Sequence, residues 1–170
     1  MSAVLKLAII DKIAEMLKDI TAANGYYSTI REVNKIDVSY EQGAQLPRVN
    51  ILANATTYSD GEGTYEAGRL LKKFSVTLDV YFEANSESDK QTKMAQLEAD
   101  LEIRFGDPTI DGDPNYNMDA SAYNLENTCL VVNFVDSIPY SLDEYQHIGN
   151  FEMTLDIYYR QKRNDPTQQY

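Results

Sequence analysis

The densest group of chemically capable side chains is the acidic segment from Asp107 to Asp113. Its sequence, DPTIDGD, sets carboxylates close together beside a glycine, and closely spaced hard oxygen ligands resemble half of a calcium-binding loop. Thr109 occupies the third position, however, and Met118 stands where such a loop has its bidentate glutamate. Aspartate, glycine and proline also form tight turns without an ion. We therefore interpret the segment as a turn and predict no metal site.

Cys129 and His147 are the single cysteine and the single histidine of the chain. A Cys–His pair would make an activated nucleophile, but the two residues are far apart in sequence and free cysteines are often simply buried. We interpret Cys129 as a core thiol and His147 as a surface imidazole. The 27 acidic residues contain no pair that stands out as a catalytic dyad. The sequence predicts no catalytic residue and no cofactor site, and we expect that the chain is not an enzyme.

Two further segments have charge or glycine patterns that suggest contacts. The stretch from Gly61 to Gly68 lacks the spacing of a phosphate-binding loop, and its glutamates would repel phosphate. We predict a projecting loop or hairpin arm over residues 54–68. Arg69, Lys72 and Lys73 flank the clearest strand of the sequence. They either contact an acidic partner or protect the end of that strand, and the sequence leaves both readings open.

Composition favours a protein that contacts other proteins. The chain has 170 residues, which is typical of a single domain spanning 1–170. Its net charge of −12 disfavours binding to nucleic acids or to anionic membranes. One cysteine permits no intrachain disulfide, and no apolar run is long enough to cross a bilayer. The start of the chain lacks a signal-peptide layout, so we expect folding in a reducing cytoplasm. Thirteen tyrosines suit surfaces that become interfaces.

Apolar periodicity predicts two helices. The first covers residues 3–23 and ends at Asn24-Gly25, where glycine supplies a left-handed stop; its stripe contains Ile9, Ile13, Met16, Leu17 and Ile20. The second covers 89–105, with Ser88 and Gln91 as a capping box and with Gly106 and Pro108 at its end; its stripe contains Met94, Leu97, Leu101 and Phe105.

Alternating apolar residues predict five strands. Short runs contain Ile36, Val38 and Tyr40, and then, after Pro47, Val49, Ile51 and Ala53. The two clearest runs contain Phe74, Val76, Leu78, Val80 and Phe82, and near the end of the chain Phe151, Met153, Leu155, Ile157 and Tyr159. Between them, the run from Thr128 to Val135 has apolar residues at both alternating sets of positions, so both of its faces are apolar. We therefore expect it to lie centrally in the sheet or to be covered on its second face by a partner.

The order α-β-β-β-α-β-β predicts an α+β fold, in which a mainly antiparallel sheet of four to five strands is flanked by two helices. Residues 106–127 contain successive turn signals and predict a long loop. Residues 161–170 form a polar C-terminal tail, which would normally fray.

Taken in order, these segments resemble the tail terminator (tail completion) proteins of long-tailed bacteriophages. The resemblance covers most of the chain and depends on the order and spacing of its local matches. These are the opening helix with Ile9, Ile13 and Leu17, Gly25-Tyr26 with Thr29 and Val33, the strand Leu46–Ile51, the run Lys73–Val80 with the helix after it, and the closing Leu155–Arg160.

The resemblance implies a structural virion protein that is assembled in the host cytoplasm. Members of this family form a hexameric ring at the head-proximal end of the tail tube, where they stop tube polymerisation and provide the head–tail joining surface. The expected partners are other copies of the chain, the tail tube protein, and a head–tail connector or head-completion protein. DNA is expected to pass through the ring without specific binding, with acidic residues on the bore and Arg69, Lys72 and Lys73 away from it.

Two alternatives remain open at the level of sequence. One is another ring protein of the phage neck or tail, either a head-completion protein or a tail tube subunit. The other is a cytosolic enzyme or metal-binding domain that uses the aspartates between Asp107 and Asp113. Unlimited polymerisation would favour a tube subunit, because such a subunit must present matching top and bottom surfaces. A bound ion would favour the metal-binding domain.

Overall fold

Two helices and six strands account for most of the residues that the structure describes. The computed structural model describes residues 4–39, 43–58, 69–106, 125, 129, 131–140, 147–162 and 165–169. In chain order the elements are α1 (Leu5–Lys18), β1 (Glu32–Asn34), β2 (Arg48–Tyr58), β3 (Arg69–Glu83), α2 (Glu87–Phe105), β4 (Val131–Tyr140), β5 (Ile148–Lys162) and β6 (Asp165–Gln169). The fold is α+β, as predicted.

The strands form one sheet in the order β1-β2-β3-β5-β4, and β6 pairs with the end of β5. β2, β3, β5 and β4 pair antiparallel with their neighbours. β1 pairs with β2 in parallel, so the sheet is mixed and the predicted antiparallel character is only partly correct. β5 lies between β3 and β4 although it follows both in the chain. After β3 the chain forms α2 and the edge strand β4, and it then returns as β5 to the position between β3 and β4.

The core lies between one face of this sheet and the two helices. The alternating apolar residues of β3 and β5 all point to this face and are buried, which confirms the register read from the sequence. The stripes of α1 and α2 pack on the same cluster. The buried helix residues include Ile9, Ile13, Met16, Leu17, Leu97, Leu101 and Phe105.

Helix α1 ends five residues earlier than predicted. Beyond Lys18, the amide groups of Asp19 and Ile20 bond to carbonyls three residues back, which tightens the last turn. The Asn24 side chain donates to the Asp19 carbonyl at 2.7 Å, and a short 3₁₀ turn covers Ala22–Asn24. Gly25 then adopts a φ of 92° and ends the helical region, as predicted.

Helix α2 begins at Glu87, and the predicted capping box of Ser88 and Gln91 is wrong. Ser86 is the N-cap, and its hydroxyl accepts a hydrogen bond from the amide of Asp89. The Asp89 carboxylate in turn accepts from the amide of Asn85 at 2.8 Å. That bond, and next the one from Lys93, hold the pKa of Asp89 below its usual value. A charged carboxylate in the first turn also faces the positive end of the helix dipole, an advantage that Gln91 lacks.

The buried Asp100 of α2 fixes the chain that follows α1. Its two carboxylate oxygens accept hydrogen bonds from the amides of Tyr27 and Ser28, at 2.8 and 2.7 Å. Bonds to a carboxylate are stronger than neutral ones, and the side chain is fully buried. The turn after Gly25 is therefore held against α2 before the chain enters β1.

The predicted strand containing Ile36, Val38 and Tyr40 is wrong. The strand in this region is β1, which ends at Asn34, and Ile36 is exposed; Tyr40 lies outside the described residues. The chain instead bends across the sheet, where the Val38 carbonyl accepts hydrogen bonds from β2 side chains. β2 itself extends to Tyr58 and pairs antiparallel with β3 as far as Lys72, so residues 54–58 of the predicted loop or hairpin arm form a strand of a hairpin. Residues 59–68 lie outside the described residues.

The predicted central position of the Thr128–Val135 run is also wrong. β4 covers Val131–Tyr140 and lies at the edge of the sheet, beside β5 alone. Among its apolar residues Val132 is buried, whereas Phe134, Val135, Ile138 and Tyr140 are exposed. The predicted 106–127 loop lies outside the described residues except for Gly106 and Leu125. Within the predicted polar tail, Asp165–Gln169 form β6.

Candidate functional site

Cys129 and His147 do not form a pair. Cys129 is buried, and burial raises the pKa of its thiol to about 12. His147 is exposed, and its carbonyl accepts a hydrogen bond from the amide of Ala84. The two residues lie beside opposite ends of β5, because Val131 pairs with Tyr158 whereas His147 precedes Ile148. Ten strand residues correspond to about 30 Å, which is far beyond the reach of a proton transfer.

The acidic segment from Asp107 to Asp113 lies outside the described residues, so its predicted turn remains a prediction. Among the residues that the structure does describe, no three histidine, cysteine or carboxylate side chains come together as metal ligands. The predicted Gly61–Gly68 loop likewise falls outside the described part of the chain.

The basic residues at the start of β3 have different surroundings. Lys73 forms an ion pair with Asp156 of β5 at 2.5 Å, and this hydrogen bond is the main cause that raises the pKa of Lys73. Lys72 lies on the other side of the strand, where burial lowers its pKa. Arg69 pairs through its backbone with Lys162. Lys73 therefore joins the two central strands, which supports the reading that it protects the strand end.

A polar network occupies the sheet face opposite the helices, and four of its residues are buried. Asp79 accepts hydrogen bonds from the side-chain amides of Asn150 at 2.7 Å and Asn50 at 3.3 Å. Arg48 and Asn50 also donate to the Val38 carbonyl, at 2.7 and 2.9 Å. The segment that follows β1 thus covers this end of the face. Sequence alternation did not predict this burial, because all four side chains lie on the polar side of their strands, which the pattern assigns to solvent.

Tyr81 completes this network at its more exposed side. The Arg48 guanidinium lies over its ring, 4.9 Å from the centroid. Burial raises the pKa of Tyr81 to about 12, and the charge of Asp79 and a hydrogen bond with it act in the same direction. The cluster contains a cation, an anion and three hydrogen-bonding groups that largely satisfy one another. Its arrangement ties β2, β3 and β5 together and offers no nucleophile.

Two clefts flank the buried Phe82 ring. The first, of about 350 Å³, is lined by residues that include Tyr27, Arg31, Pro47, Glu83 and Lys93. The second, of about 380 Å³, lies between α2 and the end of β4, with Lys90, Met94, Pro139 and Tyr140 on its walls. No histidine or cysteine is among the described residues that line them. Neither cleft assembles a recognisable acid–base pair with a nucleophile.

The strongest candidate for function is a set of exposed apolar side chains on β4. This β4 edge patch consists of Phe134, Val135, Ile138 and Tyr140, whose exposed fractions are 36%, 54%, 45% and 46%. Val135 is the extra residue of a bulge between Phe134 and Asp136. The outer edge of β4 pairs with no other strand in the described part of the chain. Phe134 is opposite Leu155 and faces the side of the helices, whereas Ile138 and Tyr140 are opposite Glu152 and Asn150 and face the other side. Exposed apolar residues on both faces of an unpaired edge strand are typical of a contact surface.

The opposite edge of the sheet is different in character. β1 covers only Arg48–Asn50 of β2, which leaves the outer half of β2, Ala53–Tyr58, as an edge among the described residues. Its side chains are small or polar, and Ala53 and Ala55 are exposed. Lys6 of α1 lies beside this edge and donates to the Asn54 carbonyl and the Thr56 hydroxyl at 2.9 and 3.1 Å. One edge therefore exposes large apolar side chains, whereas the other exposes small or neutral polar ones with the ammonium group of Lys6 beside them.

Comparison of the sequence with models of known protein families gives no match, and comparison with curated proteins gives none either. Among the described residues, neither helix is both long enough and apolar enough to cross a membrane.

Proposed function

We propose that this chain is a structural subunit that assembles with copies of itself into a ring at the head-proximal end of a phage tail tube. The observation that carries the proposal is the β4 edge patch, which exposes large apolar side chains at one edge of the sheet. A monomeric protein gains nothing from four such side chains in water, whereas a subunit contact buries them.

The two unlike edges favour a ring over a two-fold dimer. In a two-fold dimer the same patch must complement itself, whereas in a ring a patch on one side of the subunit binds a different patch on the other side. The β4 edge with its large apolar side chains and the β2 edge with its small or neutral polar ones lie on opposite sides of one sheet, so each copy offers both halves of a head-to-tail contact. Such a contact closes into a ring when the rotation between neighbours is suitable.

The resemblance to tail terminator proteins supplies the location of this ring. A terminator must bind the end of the tube on one face and present a face that the tube subunit does not recognise. A head-to-tail ring meets this requirement because every subunit contributes the same surface to each side. The net charge of −12 per chain fits a ring through which DNA passes without being held.

The test is to delete the gene from the phage that carries it and to examine lysates by electron microscopy. We expect filled heads without tails, beside unattached tubes that are often overlong, because nothing stops the tube or joins it to the head. A plasmid copy of the unchanged gene serves as the control and should restore complete particles. Tails of normal length joined to heads would contradict the proposal, and shortened or absent tubes would indicate a tube subunit instead.

A further inference from the structure

We propose that Tyr27 of one copy inserts its ring into the cleft between α2 and the end of β4 of the next copy. Tyr140 of the β4 edge patch is on the wall of this cleft, so the inference names the partner of one end of that patch. It rests on the proposed function, because it specifies a contact through which the copies of a ring would be joined.

Tyr27 is an exposed aromatic residue on a fixed backbone. Its exposed fraction is 67%. The Tyr27 amide donates to one carboxylate oxygen of the buried Asp100 at 2.8 Å, and the next amide, that of Ser28, donates to the other oxygen at 2.7 Å. These bonds hold the residue in place before a partner arrives, so binding requires little further ordering of the backbone. Tyrosine residues that combine an apolar ring with a polar hydroxyl are frequent anchors at interfaces.

The cleft suits an aromatic ring in size and chemistry. Its volume of about 380 Å³ is ample for one tyrosine side chain. The apolar part of its wall includes Met94, Pro139 and Tyr140, and the Phe82 ring lies beside them. A methionine thioether packs favourably against aromatic rings. Gln91 is also on the wall, and its amide group is of the kind that a phenol hydroxyl can hydrogen-bond.

The anchor and the cleft lie on opposite sides of the subunit at one level of the sheet. Tyr27 lines the other cleft together with Arg31 and Pro47, which precede β1 and β2, and β1 and β4 are the two ends of the strand order. Both clefts contact Phe82, whose backbone pairs with Gly149. Each copy can therefore use Tyr27 on one side and the cleft on the other, which is the head-to-tail arrangement of a ring.

Charge favours the same pairing of surfaces. Arg31, four residues after Tyr27, is exposed and makes no ion pair with another described residue. Glu87 on the wall of the cleft is also exposed, with only a long contact of 3.8 Å to a lysine. At the same cleft, the negative charge of Glu152 is the main cause that raises the pKa of Tyr140. The negative potential there complements the Arg31 guanidinium of a neighbour, whereas two copies of either side would face each other with like charges.

Photo-cross-linking tests whether the Tyr27 position enters the cleft. The amino acid p-benzoylphenylalanine replaces Tyr27, because its ketone, when irradiated, forms bonds to nearby carbon atoms and prefers those of methionine. This protein is mixed at the highest soluble concentration with isotopically labelled protein that lacks the probe, so that mass spectrometry identifies cross-links between copies. The matched control carries the probe at Ile103, which is 62% exposed near the other end of α2. Circular dichroism confirms that every variant remains folded.

We expect a covalent dimer in several-fold higher yield than from the control, with the cross-linked peptide containing Met94 of the labelled copy. Arg31→Glu in the probe-bearing copy should lower this yield several-fold, and so should Glu87→Arg in the labelled copy. The two substitutions together should restore most of the yield, since they exchange the charges across the contact. Loss of folding would not produce such a recovery.

A dimer yield no higher than that of the Ile103 control would overturn the inference, and so would cross-linked peptides that come only from outside the cleft. Charge reversal on both copies without recovery would also contradict it. Rings seen by microscopy without this cross-link would reject the contact and leave the proposed function intact. A specific cross-link to Met94, together with normal tails in the deletion lysate, would support the contact and reject the proposed function.

Discussion

Strands β3 and β4 contain similar apolar side chains in very different surroundings. β3 has a hydrogen-bonded neighbour on each side and the helices over one face, and Phe74, Val76 and Leu78 are fully buried. Among the described residues β4 has one strand neighbour, and Val135 and Ile138 are about half exposed, although Val132 is buried. The difference separates two kinds of apolar residue: the buried ones stabilise the fold, whereas the exposed ones of β4 contribute little to it and are the surface that the proposed assembly would use.

The largest effect is expected from Leu78→Asp in the centre of β3. The substitution buries a charge without a partner, which costs on the order of several kcal/mol or forces protonation. Because domains are stable by only about 5–15 kcal/mol, we expect a largely unfolded or insoluble protein. Urea denaturation followed by circular dichroism measures the loss. Thr77→Asp is the matched control, since its side chain is on the other face and partly exposed; a Leu78→Asp variant as stable as this control would contradict the register.

A smaller, pH-dependent effect is expected from Tyr81, on the second face of β3. Its pKa is raised from 10.0 to about 12, so between these values the unfolded chain releases a proton that the folded chain keeps. The free energy of unfolding therefore falls as the pH rises through this range. In Tyr81→Phe we expect a shallower fall, measured by urea denaturation at several alkaline pH values. Cys129 is present in both proteins, so its titration cancels in the comparison. Equal slopes of unfolding free energy against pH in the two proteins would show that burial does not raise the pKa of Tyr81.

The smallest effect on subunit stability is expected from Ile138→Thr in the β4 edge patch. The side chain is already 45% exposed, and surface substitutions usually change stability by within about 0.5 kcal/mol. Assembly should nevertheless fall several-fold, because the methyl groups lost are among those that a neighbouring copy would cover in the proposed ring. Val132→Thr, at a buried position of the same strand, should instead cost about 1–3 kcal/mol. Equal stability losses at the two positions would contradict the distinction between the exposed and the buried apolar residues of β4.

The sequence predicted the parts of the fold in which one face of an element is apolar and the other polar. This pattern located α1, α2, β3 and β5 and the direction in which their side chains point. It did not distinguish a strand covered on both faces from an edge strand with an exposed second face, so both a central position and a covering partner were left open for the apolar run of β4. Either environment would favour the same apolar pattern.

Tertiary contacts between polar side chains were not predictable in the same way. Arg48, Asn50 and Asp79 occupy positions that alternation assigns to solvent, and they are buried because the segment ending at Val38 crosses that face. The predicted N-cap of α2 was two residues too late because Ser86 and Ser88 are both followed, three residues on, by a side chain that accepts hydrogen bonds. Asp89 distinguishes them, since its amide donates to the Ser86 hydroxyl and its carboxylate accepts from the Asn85 amide. For the strand that contains the β4 edge patch, the sequence predicted only that a partner covers its second face if the strand does not lie centrally.

The position of β5 has a consequence for how the protein is made. β5 lies between β3 and β4 and pairs with β3 from Arg69 to Glu83, yet its residues leave the ribosome after both neighbours. Until then the longest edge of the growing sheet has no partner, and such edges promote association between incomplete chains. Pairings of this sequence separation also form slowly. We therefore expect soluble yield in cells to depend on slow synthesis, low temperature or a chaperone that covers β3 until β5 arrives.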